Sequence, residues 1–513
     1  MAAVLAYAKS PERDWTAKRI YPVFGALFVL GVALRIIFLD RQSLWFDEGV
    51  GLIFSTCGSI GQCLDTMLDA RTSERFQFIY PLLLHEWRGL FGSSETALRS
   101  LSVLCGIAAM PMIWRAALQE FGNVHAAWTL AFMALSAFTL IHAQEARPYT
   151  LFLVIAAAQI ALFLAAKRGG RWSQVGFCLV TVAGSWIGLF PLLFSVALAI
   201  ADLVSRPFRW RDMRQWLIWW LPTGLLCVPA TVYYFIAASH LDPSEVRVPK
   251  SDSPLLNLIF VAYGQLVGQT FGPPVEELRS ADRFAALRDS WLLLSGLAVV
   301  AAFAAARLIR LARHDRFAAN GETIRLLACT VVCYVTLSFI FAVLTRHNWL
   351  PRHAIALHPA IALLLPLLTR PIVPGGSARS GRLIMSAVLL LNLVAIGQHY
   401  FNRSHWKDDY RSTAAYLRAH GEPHRAVIML RGLPILLDYY GYRQLAYAPD
   451  PMPDRAAALV RNAAQGRSEI VVVVNRGSDL WPPGRLDEVL APEFRLIDHA
   501  SFPYFAIYTY AKQ

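Results

Sequence analysis

Two adjacent carboxylates, Asp47 and Glu48, stand in the stretch Asp40-Arg-Gln-Ser-Leu-Trp-Phe-Asp-Glu-Gly49, directly after a long apolar run. A carboxylate at a partly desolvated membrane surface has a raised pKa and can serve as a general base or a metal ligand. The same pair also reads as a helix N-terminal cap with a solvated neighbour. A second polar cluster, His142-Ala-Gln-Glu145-Ala-Arg147-Pro-Tyr149, sits between two apolar runs, where charges are costly and are functional or paired. Its structural alternative is that Glu145 and Arg147 pair with one another or snorkel. Arg99, and then Arg346, His347, Arg352 and His353, fall at the same end of neighbouring apolar runs. Guanidinium groups converging there suit a phosphate or diphosphate, which Arg binds bidentately. The chemistry these residue types support is proton abstraction beside an anionic lipid head group. No G-x-G-x-x-G or P-loop pattern is present, so a soluble nucleotide cofactor is not implied. No cofactor is indicated, although the carboxylates leave a divalent metal open.

These residues need a membrane to position them. Of 513 residues, 56% are apolar and 16% are Asp, Glu, Lys or Arg, against about 25% charged in soluble proteins. That excludes a disordered chain and argues against a purely soluble enzyme. The net charge of +13 would suggest nucleic acid in a soluble protein. Here the basic residues are distributed among short connections between apolar runs, and no nucleic-acid partner is expected. The seven Cys are scattered without a C-x-x-C pair, which points away from a zinc module or a disulfide scaffold. Only Cys57 and Cys63 could meet in an oxidising compartment, and they read as free thiols.

Tyr21 to Leu39 is apolar except for Arg35, long enough to cross a hydrocarbon core of about 30 Å, and no cleavage site follows it. Further candidate spans are Leu98 to Trp114, Ala126 to Ile141, Tyr149 to Ala166, Ser173 to Val204, Trp216 to Ala238, Trp291 to Ala306, Ile324 to Leu344, His353 to Leu368 and Leu383 to Tyr400. The run from Ser173 to Val204 fits a tight hairpin around Gly188 to Pro191, which brings the expectation to about eleven spans. Phe76 to Phe91, with Pro81, His85, Glu86 and Arg88, reads as an amphipathic juxtamembrane helix.

Basic residues set the orientation. Lys9, Arg13, Lys18 and Arg19 place the N-terminus, residues 1–19, in the cytoplasm, and every second connection thereafter is Arg-rich. The first loop, residues 40–97, then lies outside with Asp47 and Glu48. After Tyr400 the composition changes, and short apolar runs at Ala426 to Leu430, Ile470 to Val474 and Ala506 to Tyr510 read as strands, with a helical period over Arg411 to His420. The expected architecture is a mainly α polytopic membrane module over residues 20–400 and a small extracytoplasmic α/β domain over 401–513. Only six of the 48 basic residues are Lys, which fits a GC-rich bacterial genome; the expected location is a bacterial inner (plasma) membrane.

The order Leu44-Trp-Phe-Asp47-Glu48, Leu82-Leu-Leu-His85-Glu-Trp87, Ser94-Glu-Thr-Ala-Leu98-Arg99 and Gln144-Glu-Ala-Arg147-Pro-Tyr149 resembles the GT-C membrane glycosyltransferases. The nearest branch is the dolichyl-phosphate-mannose mannosyltransferase type with its bacterial galacturonosyl- and aminoarabinosyltransferase relatives. Pro351-Arg352-His353, His358-Pro359 and Trp406-Lys-Asp-Asp-Tyr410 are similar to later parts of the same family. The resemblance implies a polyprenyl-phosphate-sugar donor and an acceptor lipid, glycan or protein at the outer face. It also implies inverting transfer of a hexosyl or pentosyl group. It assigns Asp47, with Glu48 beside it, as the base, and Arg99, Arg147 and Arg352 as donor-phosphate residues, to which the convergence of arginines at one membrane face adds Arg346. Glu145, Tyr149, His353 and Gln77 are the implied substrate contacts. Two departures stand out. Relatives carry a His or Lys followed by Pro-Pro where this chain has Phe76-Gln77-Phe78, and His353 replaces a common Tyr.

A polytopic protein with an anionic-lipid site also fits a transporter or flippase of a polyprenyl-linked sugar, or a non-catalytic binder. A transporter needs ionisable groups and helix breaks near mid-membrane, whereas the charges here gather at one face.

Overall fold

The computed structural model describes residues 17–70, 72–205, 210–240, 254–279, 283–314, 317, 320–345, 349–373, 375–420, 425–443, 446–448, 453–475, 483–490 and 493–513. Its larger part is a bundle of apolar helices. Among the described residues, seven helices are long and apolar enough to cross a membrane, and the number is eight if Asn123–Leu135 and Ala137–Ala143, bent by 49°, form one broken span. Three shorter apolar helices, Tyr21–Ile36, Leu189–Val204 and Leu255–Val267, accompany them. The expected hairpin is two helices, Arg171–Ile187 and Leu189–Val204, parted at Gly188. The Leu255–Val267 helix falls between the candidate spans Trp216 to Ala238 and Trp291 to Ala306, where the sequence offered none. The Pro351–Thr369 span is three pieces because Pro359 and Pro366 start new turns at His358–Leu364 and Leu365–Thr369.

Small residues let the helices approach. A Cβ on Gly31 would lie 2.9 Å from Met110 Sδ and 3.0 Å from Ala134 Cβ, so the first helix rests directly on its neighbours. The break at Ser136 is held by side chains from distant helices. Arg35, fully buried, donates to the carbonyls of Ala134 (3.2 Å) and Met133 (2.8 Å) that the break frees, and to Thr139 Oγ1 (2.9 Å). Asn392 Oδ1 accepts the Ala137 N–H at 3.0 Å. Buried backbone groups in an apolar medium must be satisfied, and these two residues meet that need. The break re-aims the chain into the His142 to Tyr149 turn.

The C-terminal unit is a five-stranded sheet of β1 (Arg425–Leu430), β2 (Ala446–Ala448), β3 (Glu469–Asn475), β4 (Phe494–Phe502) and β5 (Phe505–Lys512), ordered β2-β1-β3-β5-β4. The first three are parallel, and β5 runs antiparallel to β3 and β4. β3 is apolar on both faces because helices cover both sides, as parallel strands require. β4 escaped the sequence reading because it is an edge strand with five consecutive exposed residues and no alternation. Met429, Val471, Val473 and Ile507 share one apolar cluster with Leu44, Leu52, Leu84 and Leu98 of the bundle. The short helix Phe46–Ile53 is part of that joint.

Candidate functional site

The Asp47 helix begins after Trp45, whose backbone is extended. Glu48 Oε2 reaches back to accept the Trp45 N–H at 3.3 Å, and Asp408 Oδ2 accepts the Phe46 N–H at 3.1 Å. Two carboxylates thus close the helix N-terminus, one from inside and one from the segment before the sheet. Asp408 is buried and also accepts from Asn475 Nδ2 at 3.2 Å, and its carbonyl accepts from Ser43 Oγ at 2.7 Å. On the opposite side, a Cβ on Gly49 would lie 2.7 Å and 2.8 Å from the Leu436 and Leu433 methyls, so the helix is clamped against Pro434–Tyr439.

Glu48 is a structural carboxylate. Its oxygens bind Arg99 Nε (2.8 Å) and Nη2 (2.7 Å), and Oε1 also accepts the Ala146 N–H at 2.7 Å. The remaining Arg99 N–H groups go to the carbonyls of Leu39 (2.7 Å), Gln42 (2.8 Å) and Ser43 (2.9 Å). All five donors of Arg99 are therefore spent within the protein. The structure thus places Glu48, expected as a catalytic carboxylate, and Arg99, expected as a donor-phosphate ligand, in a closed pair with one another. Both are too fully hydrogen-bonded to meet a substrate in this geometry.

Asp47 differs. Its Oδ2 pairs with Arg352 Nη1 at 2.8 Å, and the two side chains keep 18% and 24% of their surface exposed. The Arg352 guanidinium lies 5.9 Å from the Trp45 ring and 5.7 Å from the Tyr149 ring, an aromatic seat that holds the cation while leaving donors in its plane. Arg147, expected to pair with Glu145 or face a phosphate, instead forms a buried fork with Glu74 at 2.7 and 3.2 Å, and its Nη1 donates to the Asp47 carbonyl at 3.0 Å. Burial opposes its charge, yet Glu74, Tyr149 and Asp47 hold its pKa well above the ordinary guanidinium value. Gln77 supports the same acid, with Nε2 3.0 Å from both Glu74 oxygens.

Glu145 is bound by Lys407 Nζ and by His142 Nδ1 (3.0 Å). Burial favours its neutral form, but Lys407 and then His142 outweigh that and hold the carboxyl well below the usual range. Lys407 also lies 4.5 Å from the Trp45 ring, so Trp45 has cations on it from both Arg352 and Lys407. His353 stacks on Phe190 at 4.8 Å, and its Nδ1 accepts the Leu350 N–H at 3.2 Å. Asp47, Arg352, Tyr149, Arg147 and Glu145 are thus joined through direct contacts or a shared Trp45 contact. Arg346 lies outside the described residues.

Sequence reasoning missed Glu74, Glu95 and the separate roles of Lys407 and Asp408. Glu95 binds Arg411 and the Tyr440 hydroxyl, tying the bundle to the C-terminal unit. Glu95, in the Ser94 to Arg99 motif, and Lys407 and Asp408, in the Trp406 to Tyr410 segment, carried a signal, whereas Glu74 did not. Among the described residues, no group of three or more His, Cys, Asp or Glu side chains is placed to hold a metal. All seven cysteines are free thiols.

Neither a protein-family model nor a curated protein matches the chain. Solved structures do. The chain is similar to ArnT from Cupriavidus metallidurans in the apo state, with a TM-score of 0.55 at 14% identity over 94% of this chain and 97% of that one. The same protein bound to undecaprenyl phosphate matches with a TM-score of 0.53 at 15% identity, again over 94% and 97%. The Archaeoglobus fulgidus oligosaccharyltransferase tethered to an acceptor peptide gives 0.49 at 11% identity over 97% of this chain and 74% of that one. The chain has the polytopic fold of the GT-C membrane glycosyltransferases.

Proposed function

We propose that the chain transfers a hexosyl or pentosyl group from a polyprenyl-phosphate donor to an acceptor lipid, glycan or protein at the outer membrane face, with inversion and with Asp47 as base. One observation carries the reading. In a cluster whose other carboxylates are buried and committed, Asp47 stays only half-buried, beside an arginine that is half-buried as well. The undecaprenyl phosphate bound to ArnT, a protein of the same fold, supports a polyprenyl-phosphate donor.

In this mechanism the donor phosphate draws the Arg352 guanidinium away from Asp47. The freed carboxylate takes the proton of the acceptor hydroxyl as its oxygen attacks the sugar carbon opposite the phosphate. The bond to the phosphate breaks, and Arg352 offsets the charge growing on the leaving group. Tyr149 and Trp45 keep Arg352 in reach. Arg147, Glu74 and Gln77 position the backbone of Asp47, while Glu145 and His353 line the approach with their charges and rings already paired. The N-terminus lies in the cytoplasm, and residues 401–513 form the extracytoplasmic domain of a bacterial inner-membrane protein, with residues 20–400 as its membrane module.

A transporter would use ionisable groups and a helix break inside the bundle. The break at Ser136 and the buried Arg35 are of that kind, but Arg35 is spent on the carbonyls the break frees, which favours transfer. The test is mass spectrometry of membrane lipids and glycans from cells lacking the gene and complemented with wild type or Asp47→Asn. Loss of one sugar increment with build-up of its lipid-linked donor, restored by wild type alone, supports the reading. Restoration by the mutant contradicts it.

A further inference from the structure

Among the described residues, two arginines outside the Asp47 site have no acid to pair with. The Arg41 guanidinium sits among three rings, 4.9 Å from Phe38, 5.3 Å from Phe401 and 5.6 Å from Trp406. Arg403 lies over the same Trp406 ring at 5.6 Å. Among the described residues, neither guanidinium has a hydrogen-bond or ion-pair partner. Aspartates flank this region without neutralising it. No ion pair joins Asp40 to Arg41, and Asp408 is spent on Phe46 and Asn475. The Trp406 indole N–H is buried without an acceptor. Two like charges on one indole, with free planar donors, are costly unless an anion joins them.

The surroundings identify the kind of anion. Arg41 follows the first helix, which ends at Ile36, and Arg403 follows the last long helix, which ends at Phe401. Both therefore stand where apolar helices leave the membrane. Ile36, Ile37, Phe38 and Phe401 expose between 40% and 66% of their surface there, as side chains do that face acyl chains rather than water. Phe38 has a left-handed backbone (φ 57°), unusual for a bulky residue, and its carbonyl accepts the Arg41 N–H at 3.1 Å. That turn brings Arg41 back under the ring. Arg41 opens into a small pocket with Gln42, Gln144, His399 and Lys407.

We propose that Arg41, Arg403 and the aromatic rings that seat them bind the phosphate of a membrane phospholipid head group, at a site separate from Asp47. The planar donors take the phosphate oxygens and the exposed aromatic and aliphatic residues take the upper acyl chains. Lys407 is the wall shared with the Asp47 site, since it lines this pocket and stacks on Trp45. The inference does not depend on whether the chain transfers a sugar.

The test is native mass spectrometry of the purified full chain, titrated separately with phosphatidylglycerol, phosphatidylcholine and a polyprenyl phosphate. Wild type is expected to retain phosphatidylglycerol over phosphatidylcholine, whose choline competes with the arginines. The double variant Arg41→Gln/Arg403→Gln should bind phosphatidylglycerol about thirtyfold more weakly, each basic residue at an anionic membrane surface adding its share. Arg41→Lys should lose less, and Arg495→Gln on the exposed β4 edge should lose nothing. Unchanged melting temperatures establish that the variants fold. Phosphatidylglycerol binding at wild-type strength in the double variant overturns the proposal. So does equal binding of the two phospholipids by wild type, or displacement of phosphatidylglycerol by inorganic phosphate. An equal loss of polyprenyl phosphate binding in the double variant would assign the pocket to the donor and overturn the separate site.

Discussion

Glu48 and Arg99 face one another through two hydrogen bonds of 2.8 and 2.7 Å, with side chains 0% and 4% exposed, and neither has a polar atom to spare for a ligand. The pair fastens the segment after the first long helix to the helix Glu95–Phe121 and so fixes the direction in which Asp47 points. Breaking a buried pair leaves an unpaired charge, at a cost of about 3–5 kcal/mol. Glu48→Gln and Arg99→Met are expected to lower the melting temperature in detergent strongly. Activity should fall in step with the folded fraction. A full loss of activity at unchanged melting temperature would instead give Glu48 a direct part in the reaction.

Gly49 offers a subtler test of the joint between bundle and sheet. Alanine gains about 1 kcal/mol over glycine within a helix. Here its Cβ meets Leu433 and Leu436 at under 3 Å, and overpacking costs about 1–3 kcal/mol. Gly49→Ala should therefore be net destabilising, read as faster release of the C-terminal unit by limited proteolysis. Leu433→Ala in the same chain should recover part of the loss.

The Glu145 pair makes stability depend on pH. The folded carboxyl titrates below its unfolded value of about 4.3. Between the two values the unfolded chain binds more protons, so the stabilisation is complete above about pH 4.3 and is lost as pH falls below it. Melting temperature followed from neutral pH downward should drop through that window. In Lys407→Met the drop should be smaller and end at higher pH, because the folded carboxyl loses its largest stabilising partner and titrates closer to its unfolded value.

Arg35 carries a prediction about the broken helix. Arg35→Leu removes the donors that serve Met133 and Ala134. Each unsatisfied buried group costs about 1–3 kcal/mol. The variant should melt lower, and hydrogen exchange should rise around residues 133–144. Unchanged exchange there would show that the break does not need the arginine.

Much of the fold was legible because apolar run length reports directly on helices able to cross a membrane. What stayed hidden depended on distance in sequence. Nothing near Glu74 announces that Arg147, 73 positions later, forks onto it. The sequence brought Asp47 and Glu48 forward as equals, and only their three-dimensional partners separate them. Glu48 sits three residues into the helix after Trp45 and turns inward to Arg99, while Asp47, one residue earlier, turns toward Arg352. The Leu255–Val267 helix was missed because a helix of 13 residues falls short of a full span. β4 carries no alternation for a sequence to display.

The most direct measurement is sugar transfer by purified wild type and Asp47→Asn in bilayers loaded with polyprenyl-phosphate-linked sugars and an extract of envelope acceptors. Product would be followed by mass spectrometry and the melting temperatures matched. The account predicts a loss of at least about 100-fold in Asp47→Asn, the scale of a positioned general base, with donor binding retained and dependent on Arg352. Wild-type turnover by Asp47→Asn would contradict it.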